Sequence, residues 1–343
     1  VELTLANLIT ALKQRGHSID VVAPKGSVLP HHPVIQIDGT LQDMAQTLTR
    51  SAAIALPLNS VLANMWEYAR QVELAYDLVV NFAYDWLPFY LTPWFRRPVA
   101  HLVSMGSLTD AMDGAIAQVI QRFPGTIAVH TQAQANTFAF GDQCRCLGNG
   151  FNLSQYHFGA NPENVLGWVG RIAPEKGLED AIAAAQRSQI PLKIWGKVSD
   201  PDYWQQVQQH WGDEIHYEGF VPTQVLQHQL GQCRGLLVTP RWIEAFGNVV
   251  IEALACGVPV IAYRRGGPAE LVREGETGWL VEPDSVDGLV EAIARLDQID
   301  RPTCRAAAER DYSLTAMGDR TEQWFYDIIK NRNLHGELSP ATN

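Results

Sequence analysis

Apolar residues Leu3, Leu5, Leu8, Ile9 and Leu12 keep helical spacing from the first residue. A helix is therefore predicted from Val1 to about Arg15, with Gly16 as the glycine just past its end. A strand follows over residues 18–24, and short apolar runs predict further strands at 34–37, 77–81, 99–103 and 126–129. Helical stretches are predicted around 41–56, 59–75, 109–122 and 132–140. The turn-forming run Gly148-Asn149-Gly150-Phe151-Asn152, extended to Pro162, breaks the periodicity and reads as a connection between domains. A second series then begins, with strands at 165–170, 192–195, 215–217, 236–238 and 258–263. Helices are predicted between them at 178–187, 203–210, 223–230 and 247–257. A turn at Gly275–Gly278, the strand Trp279-Leu280-Val281 and helices near 286–296, 302–310 and 314–330 complete the chain; residues 335–343 are polar. Strands alternating with helices imply parallel sheets with right-handed crossovers. The fold class is thus α/β, with Rossmann-like β/α/β domains.

The length of 343 residues suits two such domains. A balance of 26 basic against 37 acidic side chains, net −11, argues against nucleic acid and anionic membrane as main partners. The uncharged run from Ser51 to Trp66 is interrupted by Pro57, Asn59, Ser60 and Asn64 and is too short and polar to span a bilayer. Five scattered cysteines (Cys144, Cys146, Cys233, Cys256, Cys304) show no metal spacing, so reduced thiols and a cytoplasmic location are expected.

The stretch Leu236–Tyr263 reads as strand, loop, helix, strand. If its helix begins near Gly247, the first backbone N–H groups and the positive end of the dipole face the loop, a site for a diphosphate. Phe246, Gly247, Asn248 and Val249 would present those amides. Glu252 lies four residues after Asn248, about 6 Å along the axis and on the same face, where the ribose of a nucleotide would sit. A carboxylate accepts two hydrogen bonds and suits two adjacent hydroxyls. Glu244 stands before the helix and faces whatever lies beyond the phosphates. A second strand-to-helix loop, Gly170-Arg171-Ile172-Ala173-Pro174-Glu175-Lys176-Gly177, occupies the edge where a doubly wound sheet binds ligand. There Arg171 offers a fork of donors and Lys176 a compact charge for a diphosphate leaving group. The competing readings are an acid on a buried helix and two solvated surface cations.

Glu244 and Glu252, separated by seven residues around Phe-Gly and followed by Ala-Cys-Gly-Val-Pro-Val-Ile-Ala, resemble the nucleotide-binding signature of glycosyltransferase family 4. The run from Gly170 to Gly177 resembles that family's Gly-Arg-x-x-x-x-Lys-Gly element, and Asn149-Gly150-Phe151-Asn152 its Asn-Gly-Val-Asp hinge. Arg15-Gly16-His17 resembles its Arg-Gly-His turn, where His17 is a turn residue. The resemblance implies two Rossmann-like domains facing across a cleft, the GT-B architecture. Residues 1–150 would bind acceptor, 151–163 form the hinge, 164–311 bind nucleotide sugar, 312–333 return as a helix to the first domain, and 334–343 form a tail. In that family the first helix follows a strand and a glycine-rich loop, so the resemblance also implies upstream residues outside this numbering.

By the same resemblance Arg171, Lys176 and Glu244 are the catalytic group. Gly170 and Gly196 pass near the donor, Phe220 and Val221 frame its base, and Glu252 holds its ribose. For Phe220 a core role is the alternative. The implied reaction moves a hexose, glucose from UDP-glucose, to an acceptor hydroxyl with retention, giving an α-glycoside. The implied partners are a nucleotide-sugar donor and a small acceptor; no cofactor or metal is required, because Arg171, Lys176 and the helix end supply the positive potential. Self-association is left open. For the acceptor, Asn81, Tyr84, Asp85 and Trp86 follow one strand end, and Ser104 and Gly106 another. Some members of the family glucosylate a pterin such as tetrahydrobiopterin, whose flat ring Tyr84 or Trp86 would stack on; packed core is the alternative for both. The family's histidine near the sugar falls at Ser104 by register, with His101 three residues earlier, so either Ser104 lines the pocket or His101 does. Three other activities share parts of this pattern: a nucleotide-sugar 2-epimerase, a pyridoxal-phosphate phosphorylase, for which no lysine motif is present, and a non-catalytic sugar-nucleotide binder.

Overall fold

The computed structural model describes residues 2–42, 49–212 and 216–336, with side chains as far as Asn331. Packing divides the protein into two units, Val1–Gly150 with Leu314–Asn343, and Phe151–Ser313. The first unit runs α1 (Glu2–Lys13), β1 (Val21–Pro24), β2 (Val34–Ile37), α2 (Val61–Val72), β3 (Val79–Asn81), α3 (Trp86–Leu91), β4 (Val99–Leu102), α4 (Asp110–Arg122), β5 (Ile127–Val129), α5 (Gln132–Ala135) and β6 (Arg145–Cys146). β1 and β2 pair in parallel, and β3, β4, β5 and β6 form a separate parallel sheet in that order. The second unit runs β7 (Leu166–Val169), α6 (Leu178–Arg187), β8 (Leu192–Trp195), α7 (Pro201–Trp211), β9 (His216–Gly219), α8 (Thr223–Gly231), β10 (Gly235–Val238), α9 (Asn248–Ala255), β11 (Val260–Tyr263), α10 (Pro268–Leu271), β12 (Gly278–Val281), α11 (Val286–Ala294) and α12 (Arg301–Tyr312). Its six strands form one parallel sheet in the order β12-β11-β10-β7-β8-β9. Finally α13 (Leu314–Gly336) joins the first unit.

Both units are Rossmann-like α/β domains, and the apolar patterning accounts for them. Every residue of β10 and β11 is buried, as central parallel strands covered on both faces require. Gly16 has φ +88° past the end of α1. On α13, Trp324 is 1% exposed, lies in a core with Ala100, Leu102, Ala128 and Ile328, and donates through Nε1 to the Gly125 carbonyl at 2.7 Å. That anchor gives the last helix its place against the sheet of the first unit.

Several predicted elements differ. The helix expected at 41–56 falls partly on 43–48, outside the described residues; residues 49–56 are not helical, and Ile54 and Leu56 are about half exposed with no face to bury. The helix expected at 132–140 stops at Ala135, where the chain tightens through Gly141, whose Cα lies against the Ala135 carbonyl. Ile215 of the expected strand 215–217 and most of the expected tail lie outside the described residues. The helix α3 was not expected, because its apolar run Trp86-Leu87-Pro88-Phe89-Tyr90-Leu91 lacks an amphipathic repeat. It starts because Asp85 caps it, accepting from Leu87 N at 3.0 Å, and because Pro88 suits a first helical turn. Among the described residues no helix is long and apolar enough to cross a membrane.

Candidate active site

In a parallel sheet the carboxyl ends of all strands lie along one edge. In the second unit this edge carries the loops after β7, β8, β9 and β10. They approach one another as bare backbone. Gly170 N donates to Trp195 O at 3.0 Å, and Gly196 N donates to Gly219 O at 3.0 Å. A Cβ on Gly196 would stand 1.7 Å from the Gly170 carbonyl oxygen, and its φ of +150° is unfavourable for any other residue. Gly170 and Gly196 therefore let two strand-end loops meet without side chains, leaving amide and carbonyl groups on the surface there.

After β10 the chain forms the loop Thr239–Phe246 and turns into α9 at Gly247. Gly247 has φ +95°, and a Cβ would meet Pro268 Cγ at 2.9 Å. The amides of Asn248 and Val249 open a helix of eight residues whose buried face is Val250, Ile251, Ala253, Leu254 and Ala255. Phe246 is buried with its ring edge-on to Tyr312, 6.0 Å between centroids. The expected positive end of a helix therefore exists at the expected residue.

Two charged groups meet beside it. Lys176 Nζ and the Glu244 carboxylate form a hydrogen-bonded ion pair, each side chain about one-fifth exposed. Trp242 completes the group: its indole Nε1 donates to Glu244 Oε2 at 3.1 Å, and Lys176 Nζ lies 5.1 Å from its ring centroid. Lys176 is placed by the loop itself. Thr239 Oγ1 donates to Gly177 O at 2.8 Å, Trp168 Nε1 donates to Thr239 Oγ1 at 3.3 Å, and Arg241 N donates to Glu175 O at 2.9 Å. Trp242 and Thr239 were missed in the sequence. Trp242 stands two residues before Glu244 in the loop between β10 and α9.

Arg171 does not reach this pair. It is half exposed and bonds Glu175 Oε1 at 2.8 Å, so of the two cations expected to act together Lys176 pairs with Glu244 and Arg171 with Glu175. Phe220 is 78% exposed, which removes the core alternative, and Val221 packs partly against the core of the second unit.

Glu252 points from α9 toward Tyr156 and Cys256. Burial pushes its carboxyl up to about 7, and it raises the Tyr156 phenol and the Cys256 thiol in turn, each of which is raised chiefly by its own burial. Among the described residues its carboxyl has no ion-pair partner, so no cation offsets the desolvation of its charge. A group in this state gains most from a ligand that brings hydrogen-bond donors. A cavity of about 230 Å³ lined by His157, Phe158, Asn161 and His228 adjoins the far, C-terminal end of α9, where Gly159 N donates to Cys256 O at 3.0 Å, and includes none of these residues.

The strand-end residues of the first unit tell a different story. His101 is fully buried: Nδ1 lies 3.1 Å from Asn81 Nδ2, Nε2 lies 2.9 Å from Thr92 Oγ1, and the ring stacks on Phe89 at 4.4 Å. Burial drops its pKa to about 3, so it is a neutral core residue and not a pocket-lining one. Asp85 is occupied as the α3 cap and by Gln42 Nε2 at 2.6 Å. Tyr84 donates to the Gly106 carbonyl at 2.9 Å, and Trp86 is half-buried with its face on Tyr90 at 4.3 Å. The acceptor contacts expected of Asp85 and His101 are therefore replaced by structural ones. Ser104 differs, since its buried hydroxyl has no hydrogen-bond partner among the described residues. Nor, among the described residues, do three or more His, Cys, Asp or Glu side chains gather as a metal site.

Comparison with known proteins agrees with this division. Residues 154–313, which lie within the second unit, match the family model of glycosyl transferases group 1. The D-inositol 3-phosphate glycosyltransferase of Corynebacterium glutamicum is 29% identical over 192 residues, covering 50% of this chain and 46% of the relative. The GDP-mannose-dependent alpha-mannosyltransferase of the same species is 31% identical over 172 residues, covering 49% of this chain and 40% of the relative. The chain thus spans less than half the length of these curated relatives in the matched region. Anabaena HepE, solved in complex with UDP, superposes with a TM-score of 0.77 at 19% identity, covering 95% of this chain and 96% of that one. The two Rossmann-like domains have the fold of GT-B glycosyltransferases.

Proposed function

We propose that the protein is a retaining glycosyltransferase that moves a hexose from a nucleoside diphosphate sugar to an acceptor hydroxyl. The observation that carries this reading is the Lys176–Glu244 pair in the loops just before the N-terminus of α9, with Glu252, which has no ion-pair partner among the described residues, one turn into that helix. The diphosphate lies against the amides of Asn248 and Val249 and against Lys176. Glu252 accepts the two ribose hydroxyls, and Phe220 and Val221 frame the base. As the anomeric C–O bond to the phosphate breaks, Lys176 and the helix end stabilise the charge that develops on the leaving oxygen. Glu244 orients the sugar hydroxyls, and the departing phosphate takes the acceptor proton as the new C–O bond forms on the same face. Arg171 leaves Glu175 to join the phosphate, which its half-exposed position permits. No metal enters this scheme, because the cation and the dipole already face the diphosphate.

For the donor, UDP-glucose is favoured by the crystal structures of HepE with UDP and UDP-glucose, while the mannosyltransferase relative is named for GDP-mannose. For the acceptor, the first unit offers Ser104 and Gly106 with the aromatic rings of Tyr84 and Trp86, a setting for a pterin such as tetrahydrobiopterin. The inositol phosphate of the C. glutamicum relative's name gives a second class, a phosphorylated polyol. The test is to incubate the protein with UDP-glucose, GDP-mannose and a metabolite extract, and to identify by mass the compound that gains one hexose. Sugar that stays attached to the nucleotide in altered form would replace this reading with an epimerase, and absence of nucleoside diphosphate release with every acceptor would replace it with a binding protein.

A further inference from the structure

The loop that bears Glu244 has little apolar anchorage. Between buried Pro240 and buried Phe246, Arg241 and Ile243 are exposed, and Trp242, Glu244 and Ala245 are only partly covered. Such a segment holds one geometry only through polar ties. At its start it is tied to the Lys176 loop by Thr239 and by the amide of Arg241. The Arg241 side chain adds ion pairs to Glu179 and Asp180 on α6, and further ties come from the loop after β11. Gly267 N donates to Glu244 O at 2.7 Å, and the backbone of Gly266 is so close that a Cβ there would stand 2.6 Å from Glu244 N.

Arg265 sits at the start of that loop and joins three loops at once. Nη1 donates to Pro240 O at 2.9 Å and to Asp284 Oδ1 at 3.1 Å, and Nη2 donates to Asp284 Oδ2 at 2.7 Å. Its side chain is one-fifth exposed, in contrast to that of its neighbour Arg264, which faces solvent and pairs with Glu274 and Glu282. Asp284, in the loop after β12, has φ +66°. That conformation is rare outside glycine, although Asp tolerates it better than most residues. The geometry points to Arg265 as a positioning residue. Its planar fork, braced by Asp284, fixes the Pro240 carbonyl, and with the Gly266-Gly267 backbone it holds Glu244 where Lys176 and Trp242 meet it. The functional half of this inference rests on the role given to Glu244 above; the mechanical half does not.

The two halves are read separately. Hydrogen exchange of Arg265→Ala is compared with wild type by mass spectrometry, together with steady-state donor turnover and UDP affinity. Exchange of the amides in 241–247 is expected to accelerate by about tenfold or more while the β7, β8 and β10 strands keep their protection. The turnover number is expected to fall by ~10–100-fold with UDP affinity changed less than about threefold, since α9 and Glu252 are untouched. Arg265→Lys, which keeps the charge and loses the fork, should give an intermediate loss, and Asp284→Asn a smaller one than Arg265→Ala. Unchanged exchange in 241–247 overturns the clamp, as does acceleration spread evenly over the second unit. A loss confined to UDP affinity would overturn the positioning role. If wild-type protein neither binds UDP nor releases it, the donor reading fails, and the exchange result still decides the clamp.

Discussion

The strand-end loops of the two units carry similar kinds of polar residue and use them in opposite ways. In the second unit Lys176, Glu244 and Trp242 satisfy one another across loops, and the group is formed from partly exposed side chains that a ligand can engage. Glu252, further along α9, has no ion-pair partner among the described residues. In the first unit His101, Asp85 and Tyr84 are consumed by the fold: one stacks and bonds in the core, one caps α3, and one bonds the Gly106 carbonyl. A polar residue at a strand end is therefore a site candidate only when the backbone has no claim on it. By that criterion Ser104, a buried hydroxyl without a partner among the described residues, is the first-unit position with capacity left for an acceptor.

Substitutions can break this contrast. The largest effect is expected from Lys176→Ala combined with Arg171→Ala, which removes the two cations proposed to bind the diphosphate and should lower turnover by ~10²–10³-fold or more. Circular dichroism should show the fold intact, and normal activity of the double variant would remove the phosphate role. Gly196→Ala comes next. The added Cβ meets the Gly170 carbonyl in a backbone conformation that disfavours it. A stability loss of ~2–4 kcal/mol in denaturant melts is expected, with donor binding lost in parallel.

Glu252→Ala should weaken UDP binding by ~1–3 kcal/mol, the scale of hydrogen bonds to a charged group. Its pH dependence sharpens the point. The carboxyl is held up at about 7 by burial, so it is largely protonated at pH 6 and ionised at pH 8. UDP affinity should therefore gain more across that interval in wild type than in Glu252→Gln, where only the terminal phosphate of UDP titrates. The same group disfavours folding as pH rises. The unfolded chain ionises near the ordinary value of 4.5 while the folded state keeps its proton to about 7, so stability from this residue falls over that window.

The smallest effects belong to the first unit. Asp85→Ala should cost ~0.5–2 kcal/mol of stability through the lost cap and leave UDP affinity unchanged. His101 acts with the opposite sign in pH: its folded value is about 3 against an ordinary 6.5, so its contribution is full above 6.5 and is lost as pH falls toward 3.

The second unit was readable in the sequence because its central strands β10 and β11 are fully buried apolar runs and its chemistry sits in short loops between strands and helices. Gly247 falls at the start of the helix, and Glu252 lies on that helix, as the spacing predicts. The pairing of Arg171 with Glu175 at the surface was not legible, because the sequence gives no sign that the two side chains would meet. Trp242 and Arg265 were invisible because their partners are distant in the chain: Lys176 lies 66 residues before Trp242, and Asp284 lies 19 after Arg265. The first unit resisted reading for a related reason. Asp85 was placed after a strand, but the helix it caps has no amphipathic repeat, and its capping role emerges only with that helix.

Titration calorimetry of UDP into wild-type protein and Glu252→Ala at pH 8 bears most directly on the nucleotide site of the second unit. Saturable one-site binding to wild type, weakened roughly 5- to 150-fold in the variant, is the predicted result. Equal affinity for the two proteins, or no binding to wild type, would contradict it.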